Sequence, residues 1–176
     1  MTVAEAHDYH SPQIEAFAAT AATSLHTFTL TNSPEAIGIA RAAERVGLPI
    51  VLSFMVETDG ALPGGKPLGL AIGEVDDATG GYPTYYMINC AHPHHFAREL
   101  RNGASWVSRI GGLRANASTK SHAELDASPE IDIGDVAELA NEHAELLPSL
   151  PNLQLIGGCC GTDHSHIAAI CARCSS

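Results

Sequence analysis

Five times along this chain a short apolar or β-forming run gives way to a stretch with helical spacing, and that alternation leaves few folds open. The runs are LHTFTL (25–30), LPIVLSFMV (48–56), TYYMINC (84–90), IGGLRANAS (110–118) and LQLIGG (153–158). LPIVLSFMV is almost continuously apolar, the pattern of a parallel strand covered on both faces. Strand and helix in alternation build βα units and a parallel sheet. The spacing predicts a helix over SPQIEAFAATAATS, with Ser11 as N-cap and Pro12 at its first position. It predicts another over NSPEAIGIARAAERVG, capped by Ser33, opened by Pro34 and ended by Gly47. LGLAIGEVDDA, HPHHFARELRNG (opened by Pro93), a segment from Asp135 to about Leu147, and DHSHIAAICARC supply the remaining helices. The glycines of ETDGALPGGKP lack phosphate-loop spacing and read as a plain turn.

With 176 residues, 45% of them hydrophobic, the chain can bury one core, and a single domain over 1–176 is expected. A net charge of −11 with 9 Lys and Arg makes nucleic acid and anionic membrane surfaces poor partners. No apolar run approaches the ~18 residues of a membrane span. The first residues lack the basic flank and apolar stretch of a signal peptide, so a cytoplasmic location is expected. Five cysteines, an odd count, suggest reduced thiols. A closed (β/α)8 barrel takes roughly 250 residues, more than this chain supplies.

The chemistry sits at strand ends. Cys159 and Cys160 follow LQLIGG in a turn that Gly157, Gly158 and Gly161 make flexible, and Cys90 closes TYYMINC. In parallel α/β sheets the C-terminal edge is where sites are built. Three thiolates converging there suit a zinc ion with one coordination position left open. A rival reading pairs Cys159 and Cys160 with Cys171 and Cys174 as a structural site. Adjacent cysteines make a poor half-site, however, so Cys171 is expected in the core and Cys174 on the surface. His92, His94 and His95 fall at the start of a helix and are expected to position a loop rather than bind metal. His164 and His166 open the last helix and are expected to be solvated or next to the thiolates. Backbone N–H groups of Gly161 and Thr162 are candidates to face the sulfurs.

INCAHPHHF, GGLRANAS, GGCCGTDHSHI and LSFMVETDGALPGGKPL together resemble the homocysteine S-methyltransferase family, over about Pro12 to Ile170. The resemblance implies an α/β fold that is part of a TIM barrel. About the last five βα units are present, and the first three of a homocysteine-binding-like domain are missing. It implies that Cys90, Cys159 and Cys160 bind Zn2+ and that the metal takes up the sulfur of homocysteine. A methyl group from a sulfonium, ammonium or cobalamin donor would then give methionine. The partners are a small-molecule thiol and a methyl donor, with a second copy or a complementing N-terminal half closing the barrel. On this reading Glu57 is a candidate for the substrate ammonium, as is His122 of SHAELD, which also holds Glu124 and Asp126. Asn89 and Asn116 are candidates for orienting ligands. Many family members carry a Glu where this chain has Phe28, which loosens the link to homocysteine. Two other readings stay open: a zinc-binding half-barrel inactive alone, and a zinc-dependent hydrolase or lyase on the same scaffold.

Overall fold

A computed structural model describes residues 1–175. Helix α1 (Val3–Ala18) precedes the units β1 (Leu25–Leu30)–α2 (Ser33–Val46), β2 (Ile50–Met55)–α3 (Leu68–Thr79) and β3 (Tyr85–Asn89)–α4 (Pro93–Leu100). There follow β4 (Ile110–Ala115), the short α5 (His122–Asp126), α6 (Val136–Leu146), β5 (Leu155–Gly158) and α7 (His164–Cys174). The five strands form one sheet in chain order, every neighbouring pair parallel. That is the expected run of five βα units, part of a TIM-type barrel.

Alternation along the strands explains how the sheet is covered. Ile50, Leu52 and Phe54 of β2 join Tyr86 and Ile88 of β3 in the core packed under the helices. Val51, Ser53 and Met55 fall on the opposite face, as period-two geometry requires. The sheet curls around that second face. Asn89 Nδ2 of β3 donates to Thr29 Oγ1 of β1 at 2.9 Å, and Ser53 Oγ of β2 donates to Asn89 Oδ1 at 2.6 Å. The Arg114 guanidinium of β4 lies 5.0 Å from the centre of the Phe28 ring of β1, across two intervening strands. The face is concave, and polar groups hold its curvature.

Two helix starts differ from expectation. Helix α1 begins at Val3, not after Ser11, because Thr2 and Glu5 form a capping box. Pro12 lies inside it, and the Ser11 hydroxyl donates to His7 O at 2.7 Å one turn back. The cap of α2 is Asn32, whose side chain accepts from Glu35 N at 2.9 Å. Ser33 is the first helical residue, and its hydroxyl is bonded to Glu74 and Lys66. The predicted end of α2 at Gly47 is observed, in the left-handed conformation. Helix α5 was not expected at all.

Candidate functional site

The ends of β3 and β5 point the same way, and β4 between them spaces the site. Cys90 N donates to Arg114 O at 3.2 Å, and Cys159 N donates to Ala115 O at 2.7 Å. Ala117 N donates to Cys160 O at 3.0 Å, so Arg114 and Ala115 at the end of β4 and Ala117 just past it fix all three cysteine backbones. Cys90 takes φ +53°, the one positive φ outside glycine among the described residues. Such a turn costs about 1–2 kcal/mol for a residue with a side chain. It swings the sulfur out of the strand's alternation.

The three sulfurs converge within 4.8 Å of one another. Cys90 Sγ stands 3.9 Å from Cys160 Sγ, and Cys159 Sγ stands 4.0 Å from Cys160 Sγ. Tetrahedral zinc with Zn–S bonds of about 2.3 Å places sulfurs roughly 3.8 Å apart, so both separations suit one ion. Cys90 and Cys159 stand closer, at 2.8 Å, inside ordinary sulfur–sulfur contact and short of ligand spacing. The donor set therefore fits zinc once that pair opens by about an ångström. No fourth His, Cys, Asp or Glu joins the group among the described residues, which leaves a coordination position for a ligand from outside.

The close contact of Cys90 and Cys159 drives the two thiols apart in acidity. Donation from Cys90 pulls Cys159 down to about 5, the thiolate side of neutrality. Cys90 is pushed well up by its bond to Cys159 and then by burial. Burial, followed by the Cys159 charge, raises Cys160. A divalent cation bound by the three sulfurs would release the thiol protons, so its affinity would rise with pH.

Of the flanking glycines only Gly161 uses left-handed backbone, at φ +77°. Gly158 is required for space instead: a Cβ there would sit 2.0 Å from Thr162 Oγ1. The Thr162 N–H and hydroxyl both donate to Cys159 O, at 3.2 and 2.7 Å, and so do not face sulfur as expected.

The other predicted residues gather around the cluster with their polar atoms engaged. Asn116, 3% exposed, accepts from Cys160 N at 3.1 Å, and Asn89 is held by Ser53 and Thr29 as described. His122 bridges two strand ends, with Nε2 2.6 Å from Cys90 O and Nδ1 3.0 Å from Glu57 Oε2. His92 caps α4 and His95 Nε2 lies 2.8 Å from Thr119 O, the loop-positioning roles expected of them. Burial lowers the proton affinity of both. His166 is buried rather than solvated: its Nε2 lies 2.8 Å from Ile133 O and its Nδ1 against Asp163, the α7 cap. The expectation for α7 is reversed, since Cys171 is exposed and Cys174 packs against the smaller core under α7. Arg114, which sequence reasoning passed over, stands on the concave face with its Nε donating to Gly158 O at 3.1 Å. A cleft of about 510 Å³ opens beside Cys160, bounded by Asn116, His122, Leu125 and the 128–132 loop.

Among known proteins, the sequence profile of homocysteine S-methyltransferases matches residues 1–174. A methionine synthase of Mycobacterium leprae (strain TN) is 30% identical over 150 residues, which cover 79% of this chain and 11% of that protein. The apo crystal structure of the homocysteine methyltransferase MmuM from Escherichia coli matches with a TM-score of 0.71 at 24% identity. That match covers 98% of this chain and 57% of the other, and it is a likeness of fold. The chain thus spans about a tenth of the synthase and little more than half of MmuM.

Proposed function

This chain belongs to the homocysteine S-methyltransferase family, and from that premise we propose that it activates a thiol, homocysteine first, for zinc-dependent methyl transfer that yields methionine. The observation that carries the reading is the convergence of Cys90, Cys159 and Cys160 with no fourth protein ligand among the described residues. These three residues would hold the metal, and the metal would supply an electrophilic seat that favours the thiolate form of an incoming thiol.

The chain's own groups do the rest. Backbone bonds from the end of β4 hold the cysteine main chains in place, and His122 fixes the Cys90 carbonyl. Glu57 orients His122 through a 3.0 Å contact to its Nδ1, and its carboxylate is the proposed group for a substrate ammonium. Asn116 pins the Cys160 amide, and Asn89 fixes the curvature beneath the site. The thiol gives its proton to solvent, its sulfur forms the S–CH3 bond, and the donor heteroatom leaves with the electron pair of the broken C–X bond. No side chain has to act as a general base.

The outer edges of β1 and β5 have no strand partner among the described residues, which supports transfer that needs further strands from a second copy or a complementing chain. Zinc-edge absorption tests the core of the proposal. An S3O environment that becomes S4 when homocysteine is added is the expected result. A spectrum unmoved by the thiol favours a hydrolytic or lyase role instead. Zinc of about one per chain should fall away in Cys159→Ala. Stoichiometric zinc after removal of all three cysteines would refute the site.

A further inference from the structure

Arg114 is the unexplained group of the concave face. Arg45, Arg98, Arg101 and Arg109 each reach a carboxylate, and Arg41 and Arg173, both exposed, reach neutral oxygens of Ala78 and Asn141; Arg114 is the half-buried arginine that reaches no carboxylate. Its Nε is spent on Gly158 O, and its plane lies over the Phe28 ring. Both Nη groups are left without a polar partner among the described residues. Phe28 is 43% exposed in the five-stranded sheet, so the pair lies on its concave side rather than in the core under the helices.

Position ties this pair to the thiol cluster. The main chain of Arg114 accepts from Cys90 N, and its side chain grips Gly158, the residue before Cys159. Gly157 pairs with Arg114 in register, and the nearest atoms to a Cβ there would be those of the Arg114 side chain, from 3.5 Å. The guanidinium therefore lies across an unobstructed strip, held at one end by a carbonyl and on one face by a ring. Such a group is preorganised for a planar anion, since its remaining donors form a fork that matches a carboxylate.

We propose that Arg114, stacked on Phe28, is the subsite for the carboxylate of the thiol substrate. This rests on the thiol-activating role proposed above and adds a substrate class to it: short thiols that carry a carboxylate, with the amino group of secondary importance. Phe28 offers no charge to an ammonium. Its ring steadies the guanidinium by cation–π contact on the concave side of the sheet, where the strand ends carry the thiols.

Three probes separate the groups: homocysteine (amine and carboxylate), 4-mercaptobutyrate (carboxylate alone) and 3-aminopropanethiol (amine alone). Each is titrated into the Co2+-loaded full chain and followed by the thiolate-to-cobalt absorption band. The two acids should bind within a few-fold of each other, and the aminothiol about 10- to 100-fold more weakly, as charge-assisted bonds would dictate. Arg114→Gln should remove that gap by weakening the acids alone, and Arg114→Lys should keep part of it. Equal binding of all three probes by the wild-type chain, or an equal loss for all three in Arg114→Gln, overturns the subsite while thiol activation stands. A band that no thiol perturbs overturns both. If Arg114→Gln does not fold, the wild-type ranking and Arg114→Lys decide the matter alone.

Discussion

Replacing His122 with alanine should weaken metal binding about two- to fivefold without unfolding the chain. Cys90 holds a left-handed φ of +53° that costs about 1–2 kcal/mol to maintain. Two hydrogen bonds offset this, from Cys90 N to Arg114 O at 3.2 Å and from His122 Nε2 to Cys90 O at 2.6 Å. Each such bond contributes about 1 kcal/mol net. Without His122 the relaxed backbone, with its sulfur turned away, becomes comparable in energy to the native turn. The metal must then draw on a smaller competent population, and each 1.4 kcal/mol of that deficit is tenfold in affinity. Partners that hydrogen-bond a metal-ligating side chain directly are worth about 10- to 100-fold, and a contact to the ligand's backbone carbonyl falls below that. Competition for zinc against a colorimetric chelator measures the affinity, and thermal unfolding of the metal-free chain checks the fold. His122→Gln, whose amide can still donate to the carbonyl, should stay close to wild type. A folded His122→Ala with unchanged zinc affinity would refute the reasoning, because Cys90 would then need no support from the ring.

Gly158→Ala should be destabilising by about 1–3 kcal/mol, since its Cβ meets Thr162 Oγ1 at 2.0 Å, whereas Gly157→Ala should be tolerated sterically. Denaturant midpoints compare the two, and equal midpoints would contradict the geometry. Stability should also fall in acid. His92 is pushed down to about 4 by burial first and by its neighbouring histidines next, and burial also lowers His143. The unfolded chain takes these protons near pH 6.5 while the folded chain resists them. The contribution is therefore complete above that pH and is lost as pH falls toward 4, with the Glu142 carboxylate 3.3 Å from His92 Nδ1 opposing part of the His92 share. Urea midpoints at pH 7.5 and 4.5 test this, and a flat profile would count against it. His143→Met should blunt the fall, since the buried His143 Nε2 has no partner to lose.

What could be read from the chain alone depended on how far each signal was local. Strand β2 was plain because both its faces are buried and its residues are almost all apolar. The three cysteines were plain because each closes a strand, and parallel topology sends those ends to one edge. Helix α1 was misplaced because Pro12 mimics a start, while the true start, Thr2 with Glu5, carries no proline. Helix α5 spans five residues from Ser121's capping box and is too short to show a period. Neither the left-handed Cys90 nor the isolation of Arg114 leaves a trace in the sequence. The first depends on bonds from distant His122 and Arg114, and the second on the curl that brings β4 over β1.

The order of strands in the sheet carries one more implication. Cys90 and Cys159 lie 69 residues apart along the chain and belong to the third and fifth units, with β4 caught between them. An ion gripping both would act as a cross-link around that intervening unit. By chain-closure entropy a clasp of this span adds roughly 4 kcal/mol against unravelling. The carboxy-terminal third of the protein would gain most, so resistance to limited proteolysis there becomes a gauge of metal occupancy.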